Sequence, residues 1–121
     1  MNTPTYDDGI AVRRAVLGDE HVDAAATATN EVTADFQEFI TTYAWGGIWT
    51  REGLDRRSRS IVTLTALVAG GHLDELELHL RAALTNGMTR AEIVEVLLQT
   101  AVYCGVPAAN SAFKVASRVL G

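Results

Sequence analysis

Residues 54–87 read LDRRSRSIVTLTALVAGGHLDELELHLRAALTNG, and the fold turns on how this stretch divides. Gly70-Gly71-His72 punctuates it, so it reads as two helices with a tight joint between them. The first, from Ser58 to Ala69, is apolar almost all round and is expected to be buried on most sides. The second carries Leu76, His79, Leu80, Ala83 and Leu84 at i, i+3, i+4, i+7 and i+8. That spacing is one helix face, with a histidine in its middle. Arg51, Arg56, Arg57 and Arg59 lead into the pair. An imidazole on an apolar face, close in sequence to fixed positive charge, is the main chemical feature of the chain.

Around this pair the rest of the chain also reads as helix. Residues 5–17 form a short helix with Asp7 and Asp8 near its start and Arg13 and Arg14 further along, an order that suits the helix dipole. Gly18 ends it, and Asp19 is placed to cap a second short helix that carries His21. From Glu31 to Ala44 the apolar residues Phe36, Phe39, Ile40, Tyr43 and Ala44 mark an amphipathic helix, expected to stop at Gly46-Gly47. The connection that follows reads as loop and holds Trp45 and Trp49, which must bury over the core or against a partner. Asp55 suits the cap of the first helix of the pair. Asp74, with Glu77 three residues on, suits the cap of the second. Thr89-Arg-Ala-Glu92 is a capping box that opens a helix with Ile93, Val96, Leu97, Thr100 and Ala101 on one side. Gly105 stops that helix. Pro107 fits the first turn of the last one, lined by Ala109, Ala112, Phe113, Ala116 and Leu120. No alternation suggests a strand. The expected architecture is all-α, a single domain over 1–121 built round a central antiparallel helix pair.

Composition narrows the function. Hydrophobic residues make up 48% and charged residues 21%, which suits a globular chain. The net charge of −5 argues against nucleic acid as a partner. No apolar run reaches membrane-spanning length, and MNTPTYDDG is acidic where a signal peptide is basic, so a cytoplasmic protein is expected. Nine of the ten basic residues are arginines, and arginine grips carboxylates through two parallel hydrogen bonds. The one cysteine, Cys104, allows neither a redox pair nor an internal disulfide. His72 and His79 lie two helical turns apart and cannot share one metal ion from a continuous helix. The apolar content is high for so short a chain, which points to a homo-oligomer.

His79 is the first candidate catalytic residue. Glu75 lies one turn earlier on the same side of the helix, where a carboxylate orients an imidazole. The plainer reading is a helix-surface Glu–His pair. Three arginines at a helix start oppose the dipole and ask for a negative partner, either Asp55 or a bound carboxylate. Trp45 and Trp49 read as core or interface residues, with ligand stacking as the alternative.

Three blocks, YAWGGIWTREGLDRRSRS, ELHLRAALTNGMTRAEI and VLLQTAVYCGVPAANSAF, resemble the carboxymuconolactone decarboxylase family across nearly the whole chain, within the AhpD-like superfamily. The resemblance implies an AhpD-like helical bundle assembled as rings, commonly trimers or hexamers. The superfamily histidine falls on His79. The two redox cysteines of the AhpD pattern fall on His72 and Glu75, and the glutamate of its proton relay falls on Ser60, so thiol redox chemistry is not expected. The implied activity is decarboxylation of 4-carboxymuconolactone, a dicarboxylate lactone, to the β-ketoadipate enol-lactone and CO₂ in protocatechuate catabolism, with no cofactor and no metal. The implied roles are His79 and Glu75 as the catalytic pair, Arg51, Arg57 and Arg59 as the carboxylate grip, and Trp45 and Trp49 as a wall. A non-catalytic oligomeric small-ligand binder on the same fold is the other reading.

Overall fold

The structure, a computed structural model, describes residues 3–121. Met1 and Asn2, part of the N-terminal stretch weighed as a targeting signal, lie outside the described residues. Helices α1 (Tyr6–Leu17), α2 (Asp19–Ala28) and α3 (Ala34–Phe39) are followed by a π-helical segment, Ile40–Trp49. Then come α4 (Arg56–Gly70), α5 (Leu73–Thr85), α6 (Arg90–Tyr103) and α7 (Val106–Leu120). Among the described residues there is no strand, and the fold is all-α as expected. No helix among them is long and apolar enough to cross a membrane. The chain packs as two compact units, residues 1–54 and 55–121.

In the first unit α1 lies against the π-helical segment at a glycine crossing. A Cβ on Gly9 would stand 1.9 Å from the Thr41 carbonyl oxygen, and one on Gly46 would stand 2.5 Å from that of Thr5. Only residues without a side chain allow two backbones to come this close. Here the structure corrects the sequence reading. Gly46 and Gly47 do not end a helix, and Trp45 and Trp49 do not sit in a loop. Winding continues through both tryptophans, whose rings stack with centroids 5.0 Å apart. The inward face is also different. A period of 3.6 selects Phe36, Phe39 and Tyr43, yet these are exposed, Phe36 by 60%. The wider π turn instead brings in Thr41, Trp45 and Gly46, spaced four and five apart.

The second unit is organised round α4 and α5. Gly71, at φ 70°, closes α4 in a Schellman motif: the His72 N–H donates to Leu67 O (3.0 Å) and the Gly71 N–H to Val68 O (3.2 Å). At the other end of the pair the Asn86 amide Nδ2 donates to Ser60 Oγ at 2.9 Å. The start of α4 therefore meets the end of α5, and the two run antiparallel. Leu64, Leu76, Leu80, Ile93 and Leu97 are fully buried in a core completed by Ala112, Val115 and Ala116 of α7. Each fully buried leucine or isoleucine contributes roughly 1.5–3 kcal/mol.

Two expectations for this unit need correction. Helix α4 is not buried on most sides: Ser60, Leu64 and Val68 form a single inward stripe, while Val62, Thr65, Ala66 and Ala69 are exposed. Threonines among the apolar residues leave it one-sided. Asp74 does not cap α5 either. The helix begins at Leu73, which puts Asp74 and Glu75 in its first turn, favoured there by the dipole. Glu77 instead reaches Arg81 (3.4 Å) and Arg118 (3.8 Å). Asp19 likewise is the first residue of α2 and not its cap, a place held by Gly18.

Candidate active site

Helix α5 carries His79 on its inward face. The amphipathic spacing that buries Leu76, Leu80 and Ala83 brings the imidazole in with them, leaving it 8% exposed. Glu75, one turn earlier, is exposed. It lines a recess of about 460 Å³ with Gly71, His72, Leu73 and Asp74, at the joint between the paired helices. The two proposed catalytic residues thus share a helix and differ in environment: a buried ring and, a turn away, a solvated carboxylate in the first turn.

The arginine run opens α4. Asp55 caps that helix, its Oδ1 accepting the Ser58 N–H at 2.7 Å. That bond, with help from the positive charge of Arg57, lowers its pKa below the usual carboxylate value. Arg57 forms an ion pair with Glu92 Oε2. Glu92 is also the third residue of the α6 capping box. Its Oε1 accepts the Thr89 N–H at 3.0 Å, and Thr89 Oγ1 accepts the Glu92 N–H at 3.1 Å. One carboxylate therefore fastens a helix start and an arginine of the neighbouring helix. Within the chain Glu92 pairs with Arg57, and the Asp55 cap stands near the same arginine. Arg59 is half-buried, with its backbone N–H on Asp55 O at 3.0 Å.

Arg51, Trp45 and Trp49 belong to the first unit. Trp45 is buried, Trp49 half-buried in the stack with it, and Arg51 exposed just beyond the π-helical segment, its N–H on Ile48 O at 3.0 Å. The second unit carries Arg57, Arg59, Glu75 and His79.

Sequence reasoning passed over two buried polar features. Arg13, read as a dipole-complementing charge, is 7% exposed, and its Nη1 donates to Gln37 Oε1 (3.1 Å) and Thr41 Oγ1 (3.2 Å). The signal was present: Gly9, Arg13 and Val16 fall at i, i+4 and i+7, the buried face of α1. Ser60 is buried and accepts from Asn86, with no nearby sequence signal to announce that bond. Among the described residues no three histidine, cysteine, aspartate or glutamate side chains gather as a metal site. Cys104 is half-buried at the end of α6.

Known proteins align with this chain along most of its length. Residues 34–118 match the model of the carboxymuconolactone decarboxylase family, a match that crosses from the first unit into the second. A 4-carboxymuconolactone decarboxylase of Acinetobacter baylyi is 45% identical over 94% of this chain and 85% of its own. Nitrosuccinic acid decarboxylase npaB of Metarhizium robertsii is 44% identical over 95% of this chain and 80% of its own. A 4-carboxymuconolactone decarboxylase of Pseudomonas putida is 54% identical over 34% of this chain and 85% of its own. With the family match covering well over half its length and near-full-length relatives above 40% identity, the chain belongs to the carboxymuconolactone decarboxylase family.

Proposed function

We propose that the chain is a carboxy-lyase that converts 4-carboxymuconolactone to the β-ketoadipate enol-lactone and CO₂ in protocatechuate catabolism. The observation that carries this reading is the 45% identity with a 4-carboxymuconolactone decarboxylase along 94% of the chain. A buried histidine on an otherwise apolar helix face supports it chemically.

The substrate brings its own electron sink. When the carbon–carboxylate bond breaks, its electron pair enters the conjugated lactone and rests on the carbonyl oxygen as a dienolate. A proton then arrives at the ring carbon next to that carbonyl. The chemistry calls for no resident cofactor or metal. It asks the protein to hold two carboxylates, to stabilise the growing oxyanion, and to deliver one proton. His79 takes the donor role, with Glu75 orienting it. Arg57 and Arg59 hold carboxylate, Arg57 while remaining paired with Glu92. Arg51 and the Trp45–Trp49 stack keep the substrate-binding roles proposed from the sequence.

A second substrate has a specific observation behind it: the 44% identity with a nitrosuccinic acid decarboxylase. Nitrosuccinic acid also carries two carboxylates beside a strong electron acceptor, its nitro group, which takes the electron pair as a nitronate. The shared requirement is a diacid with a built-in sink. Thiol redox chemistry of the AhpD kind has no support, since Cys104 is the one cysteine of the chain.

We also place the protein in a homo-oligomer, a trimer or hexamer. Phe36, Phe39 and Tyr43 are exposed in the first unit, and Leu98, Val102, Tyr103 and Val106 in the second. Soluble monomers rarely leave large contiguous apolar patches uncovered.

The deciding experiment supplies purified protein with 4-carboxymuconolactone generated in situ, and in parallel with nitrosuccinic acid, and follows CO₂ with and without excess chelator. Release from the lactone supports the reading. Release from nitrosuccinic acid alone replaces it with the second substrate, and release from neither favours a non-catalytic binder. Release that the chelator abolishes overturns the metal-free chemistry.

A further inference from the structure

Asn86 and Gly87 close α5, and their order has a chemistry of its own. The chain has four asparagines, Asn2, Asn30, Asn86 and Asn110, and Asn86 is the one followed by glycine. Glycine has no Cβ to shield its backbone nitrogen. That nitrogen can attack the side-chain amide carbon of the asparagine before it with little hindrance. The turn itself demands the glycine: Gly87 sits at φ 98°, where its N–H donates to Leu84 O (3.1 Å) and the Met88 N–H to Ala83 O (3.0 Å). The reactive dipeptide therefore comes with the fold. Gly87 is exposed and Asn86 half-buried, so solvent reaches the pair.

The folded chain keeps the reacting atoms apart. At ψ 7° the backbone nitrogen of Asn86 nearly eclipses that of Gly87, and Cβ stands a tetrahedral step away. Ring closure needs Cβ in that eclipsed place. The Gly87 N–H must also leave Leu84 O. Asn86 Nδ2, the group that would depart, donates to the buried Ser60 Oγ at 2.9 Å. Ser60 belongs to α4, so this restraint comes from tertiary structure and not from the dipeptide. We infer that Asn86 is a site of spontaneous deamidation that the Ser60 clasp holds shut. When the clasp opens, the Gly87 nitrogen gives its proton to solvent and bonds to Asn86 Cγ. The Cγ–Nδ2 bond breaks and ammonia leaves. Water then adds to either carbonyl of the cyclic imide and opens it to aspartate or isoaspartate. No oxidant or reductant takes part. Isoaspartate lengthens the backbone by a methylene, which the turn at Gly87 does not accommodate, so that product loses the clasp for good. The inference does not depend on the decarboxylase reading.

The test incubates the full chain in mildly alkaline buffer made with water of heavy oxygen, with and without denaturing guanidinium. Deamidation at each asparagine is read by mass spectrometry of proteolytic peptides, and the heavy label marks oxygen taken up from water. In guanidinium, Asn86 should deamidate faster than Asn30 and Asn110. In the folded chain Asn86 should be markedly slower than in guanidinium. Ser60→Ala removes the acceptor and should speed Asn86 in the folded chain by about two- to tenfold, the equilibrium effect of one hydrogen bond. Because Ser60 is buried, Ser60→Cys is the second variant: it nearly keeps the shape, weakens the acceptor, and should also speed the reaction. If Asn86 does not outpace the other two asparagines in guanidinium, the site is overturned. Equal rates in folded and denatured chains overturn the protection. Folded Ser60 variants that deamidate at the unaltered rate overturn the role of the clasp.

Discussion

His79 is buried on the face of α5 that also carries Leu76, Leu80 and Ala83. If it donates the proton, His79→Gln keeps the shape and removes the acid. The expected result is a kcat lowered by about 10²-fold or more with KM little changed. A kcat close to that of the unaltered chain would take His79 out of the mechanism. Arg57 needs a paired comparison, because Glu92 already holds it. Arg57→Ala should raise KM severalfold and leave stability within about 1 kcal/mol, the ordinary value of an exposed ion pair. Glu92→Gln retains an oxygen for the Thr89 N–H and so keeps the capping box, while the charge on Arg57 goes uncompensated. If KM responds to Arg57→Ala but not to Glu92→Gln, the arginine binds substrate without needing its carboxylate neighbour. If neither moves KM, Arg57 is purely structural. At this scale the sequence was legible where partners are close along the chain: the Thr89–Glu92 box, the Asp55 cap and the inward setting of His79 all follow from spacings of three or four. Arg57–Glu92 and Ser60–Asn86 were not, since each joins side chains that only the folded backbone brings together.

Helices follow the same division. Most α-helices could be bounded from caps, glycines and apolar period, although α3 runs Ala34–Phe39 and not 31–44, and the α4–α5 joint was read correctly because Gly71 sits where φ is positive. The π-helical segment could not be read that way. A search at 3.6 residues per turn pairs Thr41 with Trp45 but leaves out Gly46, five residues on from Thr41, and Gly46-Gly47 normally signals a stop. What overrides the local signal is the crossing with α1. Ordinary propensity says that Gly9→Ala, inside a helix, stabilises by roughly 0.5–1 kcal/mol. The crossing says the opposite, because the new methyl would meet the backbone of Thr41, which has no rotamer to yield. A net loss of about 1–3 kcal/mol is expected, read as a lower melting temperature. A rise in melting temperature would mean that α1 and the π-helical segment do not cross as described.

For the molecule as a whole, the residues the sequence assigned to a core and the structure leaves outside carry the information. Phe36, Phe39 and Tyr43 were read correctly as an apolar set; a single chain simply does not bury them. Tyr103, 81% exposed, and Val102 repeat the pattern in the second unit. Light scattering should therefore give a mass of three or six chains, and Phe36→Asp or Val102→Asp should shift it downward. A monomer in the unaltered protein would refute the assembly. The α4–α5 pair has one more consequence. A helical hairpin tied only at its turn frays from the open end, and its amide hydrogens exchange in a gradient along its length. This hairpin is tied at both ends, by the Schellman turn at Gly71 and by the Asn86–Ser60 clasp. Its amides should therefore be released to solvent together, and a gradient of hydrogen exchange along the pair would show that the clasp does not hold the open end.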